Sequence, residues 1–273
     1  MYILMTRIIT TMTVIPGREL KIIRAIMSIK EGHVKPDAMY VNIPKTYVRF
    51  DTPLAPWLKP VLGSLGVIVN ELEHDRCCFN KIIPTLEFEK DPETLVVTID
   101  DDVVYSPLFI SGLLQGYNIF GDVVGYSGLV YPEKAHLLGI NPRVYTVING
   151  HGSQTHILQD GFGTMTKLST FSDFPNIPPL EKGCDPTLYL SDEYVVSRFY
   201  DFKKLKKTIV CFDQIGRNCD DWSKVCTLIE DNEYSISTDR NSLEDFLKCS
   251  EIITKLWKWP YQTILDNIGN IFI

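Results

Sequence analysis

The chain has 273 residues, 45% of them hydrophobic and 22% charged, the proportions of an ordinary globular protein. With 27 Lys and Arg against 34 Asp and Glu, its formal charge is −7. That excludes the broad basic footprint of a nucleic-acid binder but leaves room for a small phosphorylated ligand. The 7 cysteines are too few for a disulfide scaffold, and no CxxC pair points to zinc, so a reducing, cytoplasmic setting is expected.

The chain opens apolar, but Thr6, Arg7, Thr10 and Thr11 break the run and no cleavage site follows. Arg7–Ile15 therefore reads as a buried strand rather than a secretion signal. No apolar run approaches the roughly 18 residues that a membrane span needs. Pro16-Gly17 turns the chain. Between Glu19 and Ile29, Leu20, Ile23 and Met27 share one face and Ile22, Ile26 and Ile29 the adjoining one, which is helical spacing. Ala38–Ile43 reads as a second strand, and Trp57 as a core residue. Val61–Val69 is apolar but too short to assign. Leu95–Ile99 is a continuous apolar run, the pattern of a parallel strand covered on both faces. Ser106-Pro107 offers an N-cap and a first-turn proline for a helix from Leu108. Asp122–Tyr126 and Arg143–Ile148 read as further strands. This alternation predicts an α/β fold with a mostly parallel central sheet.

Residues 141–190 are rich in Gly and Pro and read as loop. Ser191–Tyr200 reads as a helix. The cluster Lys203-Lys204-Leu205-Lys206-Lys207 reads as a solvated face. Beyond it the sequence looks mostly helical, most clearly over Ser242–Trp257. The expected organisation is one domain over 1–200 and a helical extension over 201–273 packed on it.

The informative feature is Asp100-Asp101-Asp102, directly after Leu95–Ile99. In parallel α/β sheets, ligands sit beyond the carboxyl ends of strands. Three adjacent carboxylates repel one another, so a cation must be close. Side-chain alternation puts Asp100 and Asp102 on one face, where they would share Mg²⁺ or Mn²⁺. The plainer reading is an acidic loop capping the next helix. Two chemistries use such a pair. A transferase with a DxD motif holds a metal against its donor's diphosphate. An aspartate-nucleophile phosphatase or phosphotransferase would attack phosphorus with Asp100. The latter needs a later acidic metal motif, but Gly121-Asp122 lacks a second acid and Asp220-Asp221 follows no obvious strand. The transferase reading leads, with the phosphatase and a non-catalytic carbohydrate-binding module as alternatives.

The order of segments carries a resemblance. Thr11–Arg18, Val34–Asp37, Tyr40–Pro44, Asn80–Pro84, Lys90–Thr94 and Val97–Tyr105 with Pro107 form a series over roughly residues 7–200. That series resembles the GT-A glycosyltransferases, in a family-2-like subgroup of bacteria and large DNA viruses. It is similar to the capsid-glycan transferases of large algal viruses, one of them a xylosyltransferase. The resemblance implies a GT-A domain that moves a sugar from a nucleotide sugar, UDP-xylose among the donors, to a glycan or glycoprotein acceptor. It implies a Mn²⁺ or Mg²⁺ cofactor, inversion at the anomeric carbon, a host-cytoplasmic location if viral, and compatibility with a homodimer.

The resemblance also implies roles for particular residues. Asp102, with Asp100, would hold the metal, and Asp100 and Asp101 would face the donor. Thr13, Ile15, Pro16 and Arg18 fall in the loop that holds the nucleoside, with Asn42 near the base. Arg76 and Lys81 are the cations for the pyrophosphate, and Cys77-Cys78 departs from the family pattern there. Ser191-Asp192-Glu193 stands where the family has its second acidic motif. Glu193 is the first choice for general base and Asp192 the second, although alone the pair reads as acids in a helix's first turn. Gly161-Phe162-Gly163 would form the acceptor loop. His151 and His156 are open candidates for a late metal ligand but read first as ordinary loop histidines.

Overall fold

The computed structural model describes residues 6–130, 146–148, 151–184, 188–189, 192–210, 226–228 and 251–252. In chain order the elements are β1 (Ile8–Thr13), α1 (Glu19–Glu31), β2 (Ala38–Pro44), α2 (Leu58–Ser64), β3 (Ile68–Leu72), α3 (Ile83–Phe88), β4 (Leu95–Thr98), β5 (Val103–Tyr105), α4 (Phe109–Phe120), β6 (Val123–Gly125), β7 (Gly128–Val130), β8 (Thr146–Ile148), β9 (Ile157–Leu158), β10 (Thr164–Lys167), α5 (Asp192–Phe202), β11 (Lys207–Ile209) and β12 (Cys226–Leu228). Short 3₁₀ turns lie at Cys77–Lys81, Asp160–Phe162 and Leu168–Phe171.

Seven strands form the central sheet in the order β11-β6-β10-β4-β1-β2-β3. The neighbours β4, β1, β2 and β3 run parallel, as do β6 and β11, and β10 runs antiparallel between β4 and β6. Two smaller sheets flank it: β12-β5 and β8-β7-β9.

Strand pleating divides the core. Ile8 and Met12 of β1 and Leu95, Val97 and Ile99 of the β4 segment pack with α1 and α4 on one face. Ile9 and Val96 look to the other. α1 buries Ile22, Ala25, Ile26 and Ile29, spaced i, i+3, i+4, i+7 as one helical face. Leu20 and Met27, expected on an apolar face, are exposed instead. The second major cluster gathers α5 (Tyr194, Val195, Phe199) with Leu158, Ile177 and Phe79.

Several expectations need correction. The run Val61–Val69 divides between α2 and β3, because Leu65-Gly66 ends the helix and Gly66 takes φ +72°. Ser106 does not cap α4. Its carbonyl accepts the Phe109 N–H and its hydroxyl the Leu108 N–H, and the helix starts at Phe109, one residue after the expected Leu108. Trp57 is 44% exposed at the head of α2, not core. The Gly- and Pro-rich stretch supplies β10, a central strand. Thr164-Met165-Thr166-Lys167 has a single large apolar residue, and its buried hydroxyls are satisfied across the sheet, as in Thr98 Oγ1 to Thr164 Oγ1 at 2.6 Å. Beyond residue 200, where helices were expected, β11 adds an edge to the same sheet and β12 pairs with β5. Ser242–Trp257, apart from 251–252, and Arg143 lie outside the described residues, as do Ser191 and Asp220-Asp221.

The lysine cluster is not uniformly solvated. Lys207 is buried, ion-paired with Asp201, and donates to the Ser197 carbonyl at 3.2 Å. Burial pushes the Lys207 pKa down, opposed by Asp201. Removing one partner of a buried pair strands the other charge. Asp201→Asn is therefore expected to cost about 3–5 kcal/mol in a urea unfolding curve. Asp173→Asn, which breaks the exposed pair with Lys203, is expected to change stability by less than about 1 kcal/mol.

Candidate active site

The β1–β4 register aligns Ile9 with Val96 and Thr11 with Thr98. Extending the pleat one step puts Asp100 on the face shared with Thr11 and Asp101 on the opposite face with α1. Each acid finds a different cation there. Lys81 Nζ lies 2.6 Å from Asp100 Oδ1 and 3.1 Å from Asp192 Oδ2. Arg18 Nη1 lies 2.8 Å from Asp101 Oδ1 and 3.0 Å from Asp102 Oδ2. Asp101 also accepts the Ile15 N–H at 3.3 Å, tying the β1–α1 loop to the strand end. The expectation that Asp100 and Asp102 share a face fails locally. The strand ends at Thr98, and the chain turns at Asp101-Asp102.

Lys81 is the hub. Its side chain is 7% exposed. It ends the 3₁₀ turn Cys77–Lys81, which Asp75 organises by accepting the Cys77 N–H at 2.7 Å and Asn80 Nδ2 at 2.8 Å. The Lys81 carbonyl is gripped by the Thr11 hydroxyl and by Asn42 Nδ2. Burial works against the charge, but Asp100, Asp192 and Asp160 outweigh it and raise the Lys81 pKa.

The first turn of α5 brings Asp192 and Glu193 to the same place. Burial first, then Asp192 and Asp160, push the Glu193 carboxyl well above its usual range, with Lys81 opposing. An N-terminal helix position alone would make a weak base. The acidic, desolvated surroundings oppose that and favour the protonated carboxyl. Asp160 is the sixth carboxyl. Burial lifts it to about 7 against the pull of Lys81, and Thr164 Oγ1 donates to it at 3.1 Å. Asp160 was not singled out in the sequence, where it precedes Gly161-Phe162-Gly163. The only signal was an acid in a glycine loop.

That loop meets the acids directly. A Cβ at Gly161 would lie 2.4 Å from Asp100 Oδ2, so any larger residue would push the Asp100 carboxylate aside. Tyr105 Oη donates to the Gly161 carbonyl at 3.0 Å and accepts the Asp100 N–H at 2.8 Å, bracing loop and strand end together. Gly163 has φ +92° and packs on the Phe109 ring.

No family model and no curated protein matches the chain. Among solved structures it is similar to the mannosyltransferase PcManGT from Pyrobaculum calidifontis, in complex with GDP-Man and Mn²⁺. That likeness covers 97% of this chain and 69% of that one, at 9% identity and a TM-score of 0.57. The fold is GT-A. A looser likeness is to glucosyl-3-phosphoglycerate synthase from Mycobacterium tuberculosis, at 12% identity and a TM-score of 0.44 over 72% of this chain. The chain spans 66% of that synthase, slightly under two thirds of its length.

In this GT-A chain the expected residues divide into three groups. Asp100, Lys81, Asp192, Glu193 and Gly161 converge on one cluster. Asp101, Asp102, Arg18 and Ile15 form a neighbouring one, bordered by Pro16 and Thr13. Phe162 lies part-buried against the core beside them. Two residues do not reach either cluster. Arg76 spends its Nε on the Ile177 carbonyl at 2.9 Å and makes no ion pair among the described residues. Asn42 is fully buried and bonded on both sides, accepting Asn70 Nδ2 at 2.8 Å, so it cannot touch a base. Its work is to hold Lys81 in place. His151 rests against the Phe120 ring, 5.1 Å between centroids. His156 is buried beside Lys207, and burial lowers its pKa to about 4.

Among the described residues no group of three or more His, Cys, Asp or Glu is arranged to hold a metal ion by itself. Asp100 and Asp102 still suit one. Their carboxylates are 33% and 22% exposed, and the charge of Asp100 helps raise the Asp102 pKa, second to burial. Mg²⁺-type ions are commonly held by one or two carboxylates plus substrate phosphates rather than by an all-protein cage. The residues fit an ion that arrives with a phosphorylated ligand. Asn42→Ala is expected to lower stability by about 1–3 kcal/mol, read from the urea midpoint, because it leaves Asn70 and the Lys81 carbonyl short of buried partners.

Proposed function

We propose that this protein transfers a sugar from a nucleoside-diphosphate donor to an acceptor hydroxyl with the help of Mn²⁺ or Mg²⁺. The observation that carries the reading is Lys81, a buried ammonium between the strand-end acid Asp100 and the α5 acid Asp192. Lys207 is a structural lysine just as buried on one carboxylate, whereas Lys81 bridges two acids, one of which, Asp100, keeps a third of its carboxylate exposed. A lysine that trades one carboxylate for a diphosphate oxygen is well placed there. The GT-A fold supports the assignment, and a mannosyltransferase of that fold binding GDP-Man and Mn²⁺ makes a nucleotide sugar and Mn²⁺ the first pair to try.

Asp102, with Asp100, would hold the ion. When bound, it neutralises charge on the departing diphosphate. Lys81 would donate to the diphosphate oxygens, and Arg18 would keep Asp101 and the loop that follows Thr13 at the end of β1 in register beside the nucleoside. Glu193 would remove the proton from the acceptor hydroxyl. Its raised pKa makes the carboxylate a stronger base once it has lost its own proton. Asp192 would hold Lys81 and serve as the alternative base. Gly161 lets its loop lie directly against the Asp100 carboxylate, and Gly161, Phe162 and Gly163 would border the acceptor. A base on the acceptor side fits a direct displacement with inversion, checked by the anomeric coupling constant of the product. UDP-xylose heads the donors on the resemblance to capsid-glycan transferases, with a glycan or glycoprotein as acceptor.

The test is release of free nucleoside diphosphate from a panel of UDP- and GDP-sugars, with and without Mn²⁺. One donor should turn over only with metal. Asp102→Ala should abolish that turnover, and Glu193→Gln should lower it about 10²–10⁴-fold. Hydrolysis of a generic phosphomonoester, with no donor consumed, would instead assign Asp100 as a phosphatase nucleophile.

A further inference from the structure

Behind Lys81 lies a pair of thiols that the proposed chemistry leaves idle. Cys77 and Cys78 open the 3₁₀ turn that Lys81 closes. Cys77 has φ +53°, a left-handed conformation that residues with a Cβ rarely adopt. Asp75 holds it there through the Cys77 N–H, and Arg49 Nη1 donates to Cys77 Sγ at 3.3 Å. Cys78 Sγ donates to the Tyr189 carbonyl at 2.7 Å. Neither cysteine is in a disulfide, and both keep part of their surface exposed.

The two thiols are unlike. The neighbouring Cys78 side chain and then Arg49 lower the Cys77 pKa against the effect of burial. Burial, the Cys77 sulfur and Asp192 raise that of Cys78. A sulfur that accepts a guanidinium hydrogen bond, next to a thiol that burial keeps protonated, is the arrangement of an oxidisable cysteine beside its resolving partner.

We propose that Cys77-Cys78 is an oxidation site for hydrogen peroxide, with Cys77 the reactive sulfur and Cys78 the resolving one. The Cys77 thiolate attacks one peroxide oxygen, the O–O bond breaks, and hydroxide leaves. Sulfur is oxidised to the sulfenic acid and peroxide is reduced. Cys78 Sγ then attacks Cys77 Sγ. The S–OH bond breaks, the oxygen departs as water with the Cys78 proton, and a vicinal disulfide forms. Adjacent Cα atoms across a trans peptide are about 3.8 Å apart, closer than ordinary disulfides prefer, so the bond is strained and readily reduced. It pulls Cys78 off Tyr189 and ties the turn that carries Lys81. The effect on activity rests on the reading of Lys81 as a donor ligand, whereas the oxidation does not.

Trypsin cuts after Arg76 and Lys81 and releases the pair in one short peptide. The reduced full-length protein is treated with hydrogen peroxide, alkylated with iodoacetamide, digested and weighed. The expected Cys77–Lys81 peptide is unalkylated and lighter by two hydrogens, and dithiothreitol restores the doubly alkylated form. Cys184, an exposed thiol, should remain alkylatable under the same dose. In Cys78→Ser, dimedone should trap a sulfenic acid on Cys77, and in Arg49→Gln, at an exposed position, the trapping should slow severalfold. A peptide still doubly alkylated after Cys184 has been oxidised would overturn the proposal, as would Cys78→Ser protein that traps no dimedone. Donor turnover should fall with the disulfide and return on reduction. A disulfide that forms without changing turnover would overturn the coupling to Lys81. A reduced protein that turns over no donor would count against the proposed function and leave the oxidation site standing.

Discussion

Three carboxylates at the end of a buried strand must be neutralised, and the arrangement of the site follows from how that is done. β4 is covered on both faces, so Asp100-Asp101-Asp102 emerges where solvent screening is weak. The pleat sends Asp100 to one side and Asp101 to the other, so no single cation can serve both. Arg18 comes from the β1–α1 loop and Lys81 from the turn after β3. Each is fixed from behind, Arg18 by two carboxylates and Lys81 by Thr11 and Asn42 on its own carbonyl.

The two cations differ in consequence. The Arg18–Asp101 pair is closed: Asp101 is almost fully buried, raised to about 7 by burial against the pull of Arg18, and tied to the Ile15 amide. It positions a loop. The Lys81 pair is open. Asp100 keeps a third of its carboxylate exposed, and Asp192, Asp160 and Glu193 crowd the other side of the ammonium with more negative charge than one cation balances. Burial first, and then the neighbouring acids, lift the pKa values of Glu193 and Asp160, with Lys81 opposing.

The sequence showed the strong patterns and hid the cooperative ones. β1, α1, β2 and β4 were legible because apolar periodicity marks them, and Asp100-Asp101-Asp102 was conspicuous at the end of an apolar run. The second acidic pair was found through its place in an ordered series of segments. β10 was not legible, since its burial is satisfied by threonine hydroxyls rather than by apolar side chains. Asp160 was hidden because its partners Lys81 and Asp192 lie far away in sequence. Asn42 stood in the right neighbourhood with the wrong role. A buried amide that braces a lysine's backbone looks, in one dimension, the same as an amide waiting for a base. The split of Asp100 from Asp102 depends on where β4 ends, and strand ends are decided by pairing partners rather than by local residues.

The central claim is that Lys81 exchanges a carboxylate for a diphosphate. Calorimetric binding of UDP and of GDP in the presence of Mn²⁺ tests it directly, comparing the native chain with Lys81→Met and checking both by circular dichroism for retained fold. The account predicts metal-dependent binding of one nucleotide to the native chain and a loss of about 10–100-fold in the variant, the worth of a hydrogen bond to a charged group. Equal affinity in a folded Lys81→Met protein, or no binding of either nucleotide to the native chain with Mn²⁺ present, would contradict it.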